Sequence, residues 1–391
     1  MNLVFSLFIW LFLAFLLVQV GYLFFFSLAG TLGRKKGLQA ADSLRRIRIF
    51  IPGYKEDAVI LSSAASALQQ DYPAHLVEVV VIADSFSEST LAALQKMPLK
   101  VVEVRFEKST KGKALQKAID ATRHDPVAIA LILDADNHMA PGFLHAVNNA
   151  FAAGYQAVQG HRTAKNTNTA FAFLDACTEE INNHIFRRGH VAVGLPSALI
   201  GSGMAFDWQL FVRMLADIGD TSGEDKEMEF RLTGEGHRIA FLDGAYVFDE
   251  KVANTEVFAR QRSRWLAMQL EFFEKYFFKG WKELFKGNVA FFNKVLQTFL
   301  LPRVMLVAVV GLWTLVALCC FPQLLGLSLA LAGALVLSLL LGIPGRWYNR
   351  QLLQALLQVP GALLGMFRSV FHIGKARKQF IHTPHGETHS H

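Results

Sequence analysis

Two aspartates, Asp134 and Asp136, stand two residues apart at the end of the apolar run Val127–Asp134. In an extended segment, the side chains of residues i and i+2 point to the same side. Two carboxylates on one side form a hard oxygen site for Mg²⁺ or Mn²⁺, of the kind that also binds a diphosphate. A lone pair with this spacing more often begins an ordinary turn. Its place at the end of a buried strand favours the metal site.

Three further groups of polar residues follow along the chain. They are Gly201-Ser202-Gly203, Gly223-Glu224-Asp225 and Gln261-Arg262-Ser263-Arg264-Trp265. Taken singly, they are also typical of a turn, an acidic first turn of a helix and a basic helix face. Without further context the Glu224-Asp225 pair is more often structural than functional, so the meaning of these groups depends on their order along the chain.

Alternating strand and helix patterns must position these groups. The expected strands are Arg46–Tyr54, Val77–Asp84, Lys100–Phe106 and Val127–Asp134, and the expected helices are Ala58–Gln70 and Lys113–His124. The alternation indicates a doubly wound sheet, in which ligands bind beyond the carboxyl ends of the strands. Pro52, Glu56 and Asp84 lie at such ends, as do the two aspartates. The chain has no P-loop motif and no strand-linked G-x-G-x-x-G, so neither of those nucleotide folds is supported.

Charged residues make up only 18% of the 391 residues, against about 25% in a soluble chain. None of them falls within residues 1–33 or 304–345. Leu3–Ala29 is long enough to span a bilayer and lacks the basic start of a cleaved signal peptide, which predicts a retained anchor. Val304–Phe321 and Leu324–Ile343 predict a membrane hairpin. Leu352–Ile373 contains Arg368 and precedes further basic residues, which favours a helix lying in the interface over a fourth span.

Basic residues gather beside the apolar segments, which explains the net charge of +7 without a nucleic-acid partner. This positive-inside pattern places the middle domain in the cytoplasm and predicts an integral protein of a bacterial inner membrane. The three cysteines, two of them adjacent in an apolar segment, suit a reducing compartment. The predicted organisation is an anchor over 1–33, a cytoplasmic domain over 34–290, a membrane hairpin over 291–345, an interfacial helix over 346–378 and a tail over 379–391.

Taken in order, the motifs resemble those of the membrane-integrated family 2 glycosyltransferases, the group with cellulose, hyaluronan and poly-N-acetylglucosamine synthases. The resemblance covers about residues 46 to 270. It rests on Ile51-Pro52-Gly53-Tyr54-Lys55-Glu56, Val81-Ile82-Ala83-Asp84-Ser85, Lys111-Gly112-Lys113 and the groups named above, of which Gln261-x-x-Arg264-Trp265 is the most specific. It implies an α/β GT-A domain with flanking transmembrane helices, a UDP-sugar donor, Mg²⁺ or Mn²⁺ as cofactor, and inversion at the anomeric carbon.

The resemblance also assigns roles to residues of this chain. Asp225 would be the general base, and Asp136 would bind the metal. The nucleotide sugar would be bound by Pro52, Tyr54, Glu56, Asp84, Lys113 and Asp134. The acceptor and the diphosphate would be bound by Gly201, Ser202, Gly203, Glu224, Gln261, Arg264 and Trp265. In the tail, Phe380 and Thr383 resemble a gating loop over the nucleotide pocket, the alternative being a disordered polar tail.

The leading hypothesis is transfer of a sugar from a UDP-sugar to a hydroxyl of a glycan or glycolipid, as in polysaccharide or exopolysaccharide biosynthesis. A polyprenyl phosphate acceptor is already deprotonated and needs no base, so Glu224 and Asp225 favour a hydroxyl. A third reading is a non-catalytic nucleotide-binding part of a transporter, against which the full set of carboxylates argues. The donor sugar, processivity, and a homo-oligomer or partner subunit stay open.

Overall fold

The computed structural model describes residues 3–33, 37–219, 221, 223–251 and 255–361, except for the side chains of residues 255–264. Eight strands in this part of the chain form one mixed sheet in the order β3-β2-β1-β4-β7-β6-β8-β5. They are β1 (Ile47–Tyr54), β2 (Val77–Asp84), β3 (Lys100–Val104), β4 (Ile129–Ile132), β5 (His138–Met139), β6 (Ala157–Ala164), β7 (Met204–Asp207) and β8 (Ile239–Asp249). The first four strands are parallel, whereas β7 runs antiparallel to both of its neighbours.

The helices of the described residues surround this sheet and extend beyond it. They are α1 (Leu3–Leu32), α2 (Ile60–Leu68), α3 (Glu88–Leu94), α4 (Lys111–Thr122), α5 (Phe143–Ala152), α6 (Ala170–Asn182), α7 (His190–Ala192), α8 (Trp208–Leu215), α9 (Glu224–Gly234), α10 (Thr255–Phe285), α11 (Val289–Phe299), α12 (Arg303–Cys320), α13 (Leu325–Leu341) and α14 (Arg350–Leu356). A π-helical segment, Asn183–Gly189, connects α6 to α7.

Helices cover both faces of the sheet, because its central strands are apolar on both sides. In β1, Ile49 and Ile51 pack with α2 and α5, whereas Phe50 between them packs with α4, α8 and α9. Successive side chains of a strand point to opposite faces, and a parallel strand covered on both faces reads as a continuous apolar run. The predicted helix-covered parallel strands are therefore present at this end of the sheet.

The chain turns directly after β4, and this changes the geometry expected for the two aspartates. The strand ends at Ile132, and the amide of Asn137 donates a hydrogen bond to the carbonyl oxygen of Asp134 at 3.0 Å. The expectation that Asp134 and Asp136 lie in an extended segment is therefore wrong. They belong to a tight turn. The turn, and not the alternation of a strand, sets the direction of both carboxylates.

Three helices are long and apolar enough to cross a membrane: Leu3–Leu32, Arg303–Cys320 and Pro322–Leu341. They agree with the three spans expected from the sequence. Buried hydrogen bonds tie α1 to its neighbours. The side-chain oxygen of Gln19 accepts a hydrogen bond from the amide of Leu301 at 2.8 Å. The hydroxyl of Ser27 donates one to the carbonyl oxygen of Ser338 at 2.8 Å.

The short helix α14 follows the last of these three helices and packs on α6. Its Leu352 and Ala355 meet Phe173 and Cys177, while Leu353 on the other side is exposed. The interfacial helix expected over 346–378 stays a prediction. Most of that helix and the whole tail, including Phe380 and Thr383, lie outside the described residues.

Candidate active site

A cavity of about 630 Å³ opens where the carboxyl ends of β1, β2 and β4 meet the first turn of α9. Its wall includes ten of the residues predicted for the site: Pro52, Tyr54, Glu56, Asp84, Asp134, Asp136, Gly201, Glu224, Asp225 and Trp265. Ligands of open α/β sheets bind at such an edge. Residues that the sequence separates by more than two hundred positions thus share one cavity.

Five other predicted site residues have no described side chain in the cavity wall. Lys113 lies outside the cavity wall, and Ser202 and Gly203 are buried beneath it. The side chains of Gln261 and Arg264 lie outside the described part of the chain, although their backbone belongs to α10.

The ends of β1 and β2 form one edge of the cavity and hold an uncommon backbone conformation. Lys55 and Ser85 have φ angles of 56° and 60°, which non-glycine residues seldom adopt. The amide of Lys55 donates to the carbonyl of Asp84 at 3.0 Å and ties the two ends together. Gly53 is required here because a Cβ atom would come within 2.6 Å of the Phe86 ring. Strain of this kind gathers at ligand-binding sites.

The aspartate turn is held from below by a chain of buried hydrogen bonds. The amide of Asp134 donates to Ser202 Oγ at 2.9 Å, and that hydroxyl donates to Asn137 Oδ1 at 2.7 Å. The amide group of Asn137 then donates to Asp136 Oδ1 at 2.8 Å and to Asp249 Oδ1 at 2.9 Å. Ser202 therefore supports the turn and does not face the cavity. Its place beneath the turn was not foreseen from the sequence.

Lys111, at the start of α4, is the lysine of the predicted motif that reaches the cavity. Its Nζ donates to Asp134 Oδ1 at 2.5 Å and to the carbonyl of Gly201 at 2.7 Å, and lies 3.7 Å from Glu224 Oε1. Burial acts to lower the pKa of Lys111, but the neighbouring carboxylates hold it above its usual value. The Nζ of Lys113 instead donates to a backbone carbonyl in the preceding loop.

The first turn of α9 presents Glu224 and Asp225, where the helix dipole favours negative charge. Gly112 of α4 leaves no room for a side chain, since a Cβ atom there would lie 2.9 Å from Cγ2 of Ile218. Burial raises the pKa of Glu224, and the charge of Asp225 adds to this effect, against the opposing effect of Lys111. Asp225 is only partly buried and lines the cavity. It is the carboxylate of the two that a substrate can reach.

A second cluster of charges lines the same cavity. Glu179 of α6 accepts a hydrogen bond from Arg162 at 2.8 Å and lies 3.4 Å from Lys251 Nζ and 3.7 Å from Arg187 Nη1. Burial acts to raise the pKa of Glu179, but these three cations hold it well below its usual range. Lys251 also contacts Asp249 at 2.7 Å. No spacing in the sequence links these residues, and sequence reasoning missed all of them.

The cavity continues to the head of a candidate membrane span. Leu300, Leu301 and Pro302 line it, followed by Arg303 and Val304 of α12. A guanidinium nitrogen of Arg303 donates to a carbonyl of α6 at 3.1 Å. The aspartate turn and the start of α12 are thus two ends of one continuous space.

The aspartate turn fits a divalent cation that arrives with a phosphate ligand. Among the described residues, no group of three His, Cys, Asp or Glu side chains is placed to hold a metal. Mg²⁺ is commonly bound through one or two carboxylates together with substrate phosphates. Asp136, oriented by Asn137, and Asp134 supply such a partial set. The site therefore suits a metal shared with a diphosphate better than an all-protein cage.

In sequence, the chain is similar to known glycosyltransferases. The model of a family described as "Glycosyltransferase like family 2" matches residues 45–267. A beta-monoglucosyldiacylglycerol synthase of Trichormus variabilis is 28% identical over 231 residues, covering 57% of this chain and 48% of the synthase. The chain thus matches that curated relative over about half of the relative's length.

A solved mannosyltransferase of Pyrobaculum calidifontis, in complex with GDP-Man and Mn²⁺, is similar over almost the whole chain. The TM-score is 0.56 at 16% identity, and the match covers 92% of this chain and 96% of the mannosyltransferase. At this identity the likeness concerns the fold alone. The fold expected from the sequence, a GT-A domain flanked by apolar helices, is confirmed.

Proposed function

Because the chain belongs to glycosyltransferase family 2 and is a glycosyltransferase, we propose that it transfers a hexose, with inversion, from a UDP-sugar to a hydroxyl of a membrane glycolipid or glycan. One observation carries the proposal. A single cavity joins the aspartate turn, the carboxylates of α9 and the head of α12. The donor and an acceptor held by the membrane can therefore meet in it.

The donor end is formed by the strand edges and the aspartate turn. Glu56 and Asp84 line the cavity where the nucleoside would lie, and Asp134 and Asp136 line it where the diphosphate would lie. A divalent cation bound at this turn would offset the charge that builds on the departing diphosphate. Lys111 places a further positive charge beside Asp134, which supports the same purpose.

Asp225 is the proposed general base. As the acceptor oxygen bonds to the anomeric carbon, its proton passes to the Asp225 carboxylate, and the bond from that carbon to the diphosphate breaks to release UDP. Glu224 beside it is buried against Lys111, which leaves Asp225 as the reachable carboxylate. Direct displacement on one face of the sugar inverts the configuration.

A lipid-linked acceptor is supported by two features. The cavity ends at Arg303 and Val304, the first residues of a helix apolar enough to cross a membrane. The curated relative is named for a beta-linked glucosyl lipid, which is the configuration that inversion of an α-linked donor produces. The basic residues beside the apolar segments favour a bacterial inner membrane with this domain on the cytoplasmic side.

Replacing the base separates a hydroxyl acceptor from a phosphate acceptor. Full-length protein in detergent, with Mn²⁺ or Mg²⁺ and a panel of UDP-sugars and lipid acceptors, is assayed for product by mass spectrometry. We expect Asp225→Asn to lower transfer by about 10²- to 10⁴-fold with UDP affinity retained, because only proton removal is lost. The control is Asp120→Asn, at an exposed carboxylate on α4 paired with Arg123. Full transfer by the Asp225 variant would contradict the base assignment.

A further inference from the structure

Three cations from three different elements line the cavity and have few carboxylates to pair with. They are Arg187 of the π-helical segment, Lys226 of α9 and Lys294 of α11. Lys226 Nζ lies 2.7 Å from Glu229 Oε2, and Lys294 Nζ lies 2.5 Å from Glu229 Oε1. Two lysines therefore share one carboxylate.

Arg187 shares its carboxylate as well. Its Nη1 lies 3.7 Å from Glu179 Oε1, and Glu179 also contacts Arg162 at 2.8 Å and Lys251 at 3.4 Å. Nη1 of Arg187 donates to Asn183 at 2.7 Å, whereas its Nε has no hydrogen-bond partner among the described residues. The charge of Arg187 is thus only partly offset.

Other buried atoms of the cavity wall also lack hydrogen bonds within the described part of the chain. They include Arg162 Nε, Lys294 Nζ, Glu179 Oε1 and Glu229 Oε1. Both oxygens lie near a cation, since Glu229 Oε1 is 2.5 Å from Lys294 and Glu179 Oε1 is 3.7 Å from Arg187. A lysine ammonium carries three donors and a guanidinium five, so the donors of this wall outnumber the acceptors beside them.

The formal charges of this wall do not cancel. It holds six cations and five carboxylates: Arg162, Arg187, Lys226, Lys251, Lys294 and Arg303, and Asp175, Glu179, Glu229, Asp249 and Glu250. The excess of positive charge lies beside Arg187, because Lys226 and Lys294 pair with the same carboxylate. This wall therefore favours an anionic ligand over an uncharged one.

The pKa shifts agree with an incomplete counter-charge. Burial lowers the pKa of Arg187 to about 10, since Glu179 opposes the effect only in part and Arg162 adds to it. Burial also lowers the pKa of Lys294, against the effect of Glu229. Buried charges are costly unless they are paired, so an anion at this wall would stabilise both cations.

Lys226 is the cation of the three that a ligand can reach. Its side chain is 39% exposed, against 3% for those of Arg187 and Lys294. The two buried cations act on a ligand through their charge, which is strong where water is excluded. The amide of Lys226 donates to Asp225 Oδ1 at 2.8 Å. The reachable cation therefore adjoins the proposed base.

The same cavity leads from these cations to a candidate membrane span. Lys294 lies in α11, and Leu300 and Leu301, which follow that helix, line the cavity as far as Arg303 at the start of α12. Basic pockets beside membrane spans bind phosphate head groups of lipids. A lipid bound here would place its phosphate near the cations and its apolar chains along the two leucines.

We infer that Arg187, Lys226 and Lys294 form an anion subsite for the phosphate of an acceptor lipid whose head group also carries the reacting hydroxyl. The inference rests on the proposed function and adds the chemical class of the acceptor. The three cations position the lipid, and its phosphate forms no new bond. The proton of the hydroxyl passes to Asp225.

The subsite is tested by binding, with Lys226→Gln in the full-length protein. Native mass spectrometry in detergent measures Kd for dioleoyl phosphatidylglycerol, dioleoylglycerol and UDP. We expect Kd for phosphatidylglycerol to rise about tenfold, with the other two values unchanged, because only a charged contact to the phosphate is lost. Retained UDP binding also shows that the variant is folded.

The matched control is Lys286→Gln, a lysine that pairs with Glu283 three residues away and lies outside the cavity wall. It should leave all three Kd values unchanged. An unchanged Kd for phosphatidylglycerol in Lys226→Gln would overturn the inference. A higher Kd for UDP in that variant would overturn it as well, by assigning the cation to the diphosphate of the donor.

A second measurement uses only the wild-type protein, so it does not depend on how a variant folds. Transfer from the best UDP-sugar is compared for phosphatidylglycerol, dioleoylglycerol and undecaprenyl phosphate, and Kd is measured for inorganic phosphate. We expect kcat/KM for phosphatidylglycerol to exceed that for dioleoylglycerol by about tenfold. Inorganic phosphate should bind more weakly than phosphatidylglycerol, because it lacks the apolar chains.

Faster transfer to dioleoylglycerol would overturn the inference and leave the proposed function intact. Preference for undecaprenyl phosphate would overturn it too, since the phosphate would then be the attacking group. Equal affinity for inorganic phosphate and phosphatidylglycerol would assign the cations to a soluble anion. No sugar transfer and no UDP release from any donor would instead overturn the proposed function, while the binding measurement would still test the anion subsite.

Discussion

Lys111 and Lys113 stand two residues apart in one motif, yet their side chains have different environments. The Thr110 side chain caps α4 by accepting a hydrogen bond from the amide of Lys113. This cap fixes where the helix starts. From that start, Lys111 points to Asp134 and Glu224, and Lys113 points back to the preceding loop. The family motif favours Lys113 as the nucleotide residue, whereas the geometry favours Lys111.

The two lysines make a matched pair of variants. We expect Lys111→Met to lower kcat by about 10²-fold, because a positive charge is lost beside the departing diphosphate. Lys113→Met should leave kcat close to that of the wild type. The measurement is steady-state transfer at saturating donor. Loss of activity only in the Lys113 variant would show that the motif assignment is right and the geometric one wrong.

At the scale of residues, positions were more predictable than roles. The place of Asp84, Asp134 and Asp136 after apolar runs predicted that they lie beyond the carboxyl ends of strands, and the structure puts them in the cavity wall there, while their roles stay predictions. Arg162 and Glu179 were not predicted, because their pairing depends on how β6 and α6 fold against each other. Charged residues in such positions resemble solvated surface residues until the fold buries them.

At the scale of elements, the parallel half of the sheet was the predictable half. β2 has the bounds expected, Val77–Asp84, because a β-branched run ends there in a turn. None of β5, β6, β7 and β8 was predicted, and β5 and β7, with two and four residues, carry too little periodicity to be seen. The turn after β4 also escaped prediction, because its hydrogen bonds come from Ser202, far along the chain.

The contact between this turn and Ser202 predicts a defect in metal use rather than in acceptor use. Ser202→Ala leaves the amide of Asp134 and the side-chain oxygen of Asn137 without their buried partner. We expect a loss of about 1–3 kcal/mol in stability and a higher Mn²⁺ concentration for half-maximal activity, with acceptor KM unchanged. Ser63→Ala in α2 is the control, because that buried hydroxyl has no partner among the described residues. A change in acceptor KM alone would restore the acceptor role expected from the motif.

A buried histidine connects β6, α6 and β8 and makes stability depend on pH. Burial acts to lower the pKa of His161, but hydrogen bonds and charges from Asp243 and Glu180 raise it to about 9. Because this is above the unfolded value of about 6.5, the stabilisation is fully present below pH 6.5. It is lost as the pH rises through 9.

This shift predicts a change in thermal unfolding. We expect the thermal unfolding midpoint of the wild type to decrease as the pH is raised from about 6.5 to 9. The loss of stability over this range would be up to about 3 kcal/mol. The His161→Gln variant should be less stable at pH 6.5 and approach the wild type above pH 9. Unfolding midpoints are followed by fluorescence in detergent across this range. Parallel curves for the two proteins would show that His161 is not charged in the folded state.

At the scale of the whole molecule, the glycosyltransferase domain and the apolar helices pack against each other. Tyr22 of α1 donates to Asn293 of α11 at 2.9 Å and lies 2.8 Å from His190 Nε2. The absence of charge in 1–33 and 304–345 was enough to predict three helices apolar enough to span a membrane. It did not predict that the start of α12 would line the active-site cavity, since that depends on how α6, α11 and α12 pack together.

In the proposed reaction, Asp225 deprotonates an acceptor hydroxyl as that oxygen displaces UDP directly. The most direct measurement is the anomeric configuration of the product, determined by NMR, from a UDP-sugar with an α-linked sugar. One displacement on the face opposite the diphosphate must give a β-linked product. A β-linked sugar formed by the wild type is the result expected here, and an α-linked sugar would contradict the account.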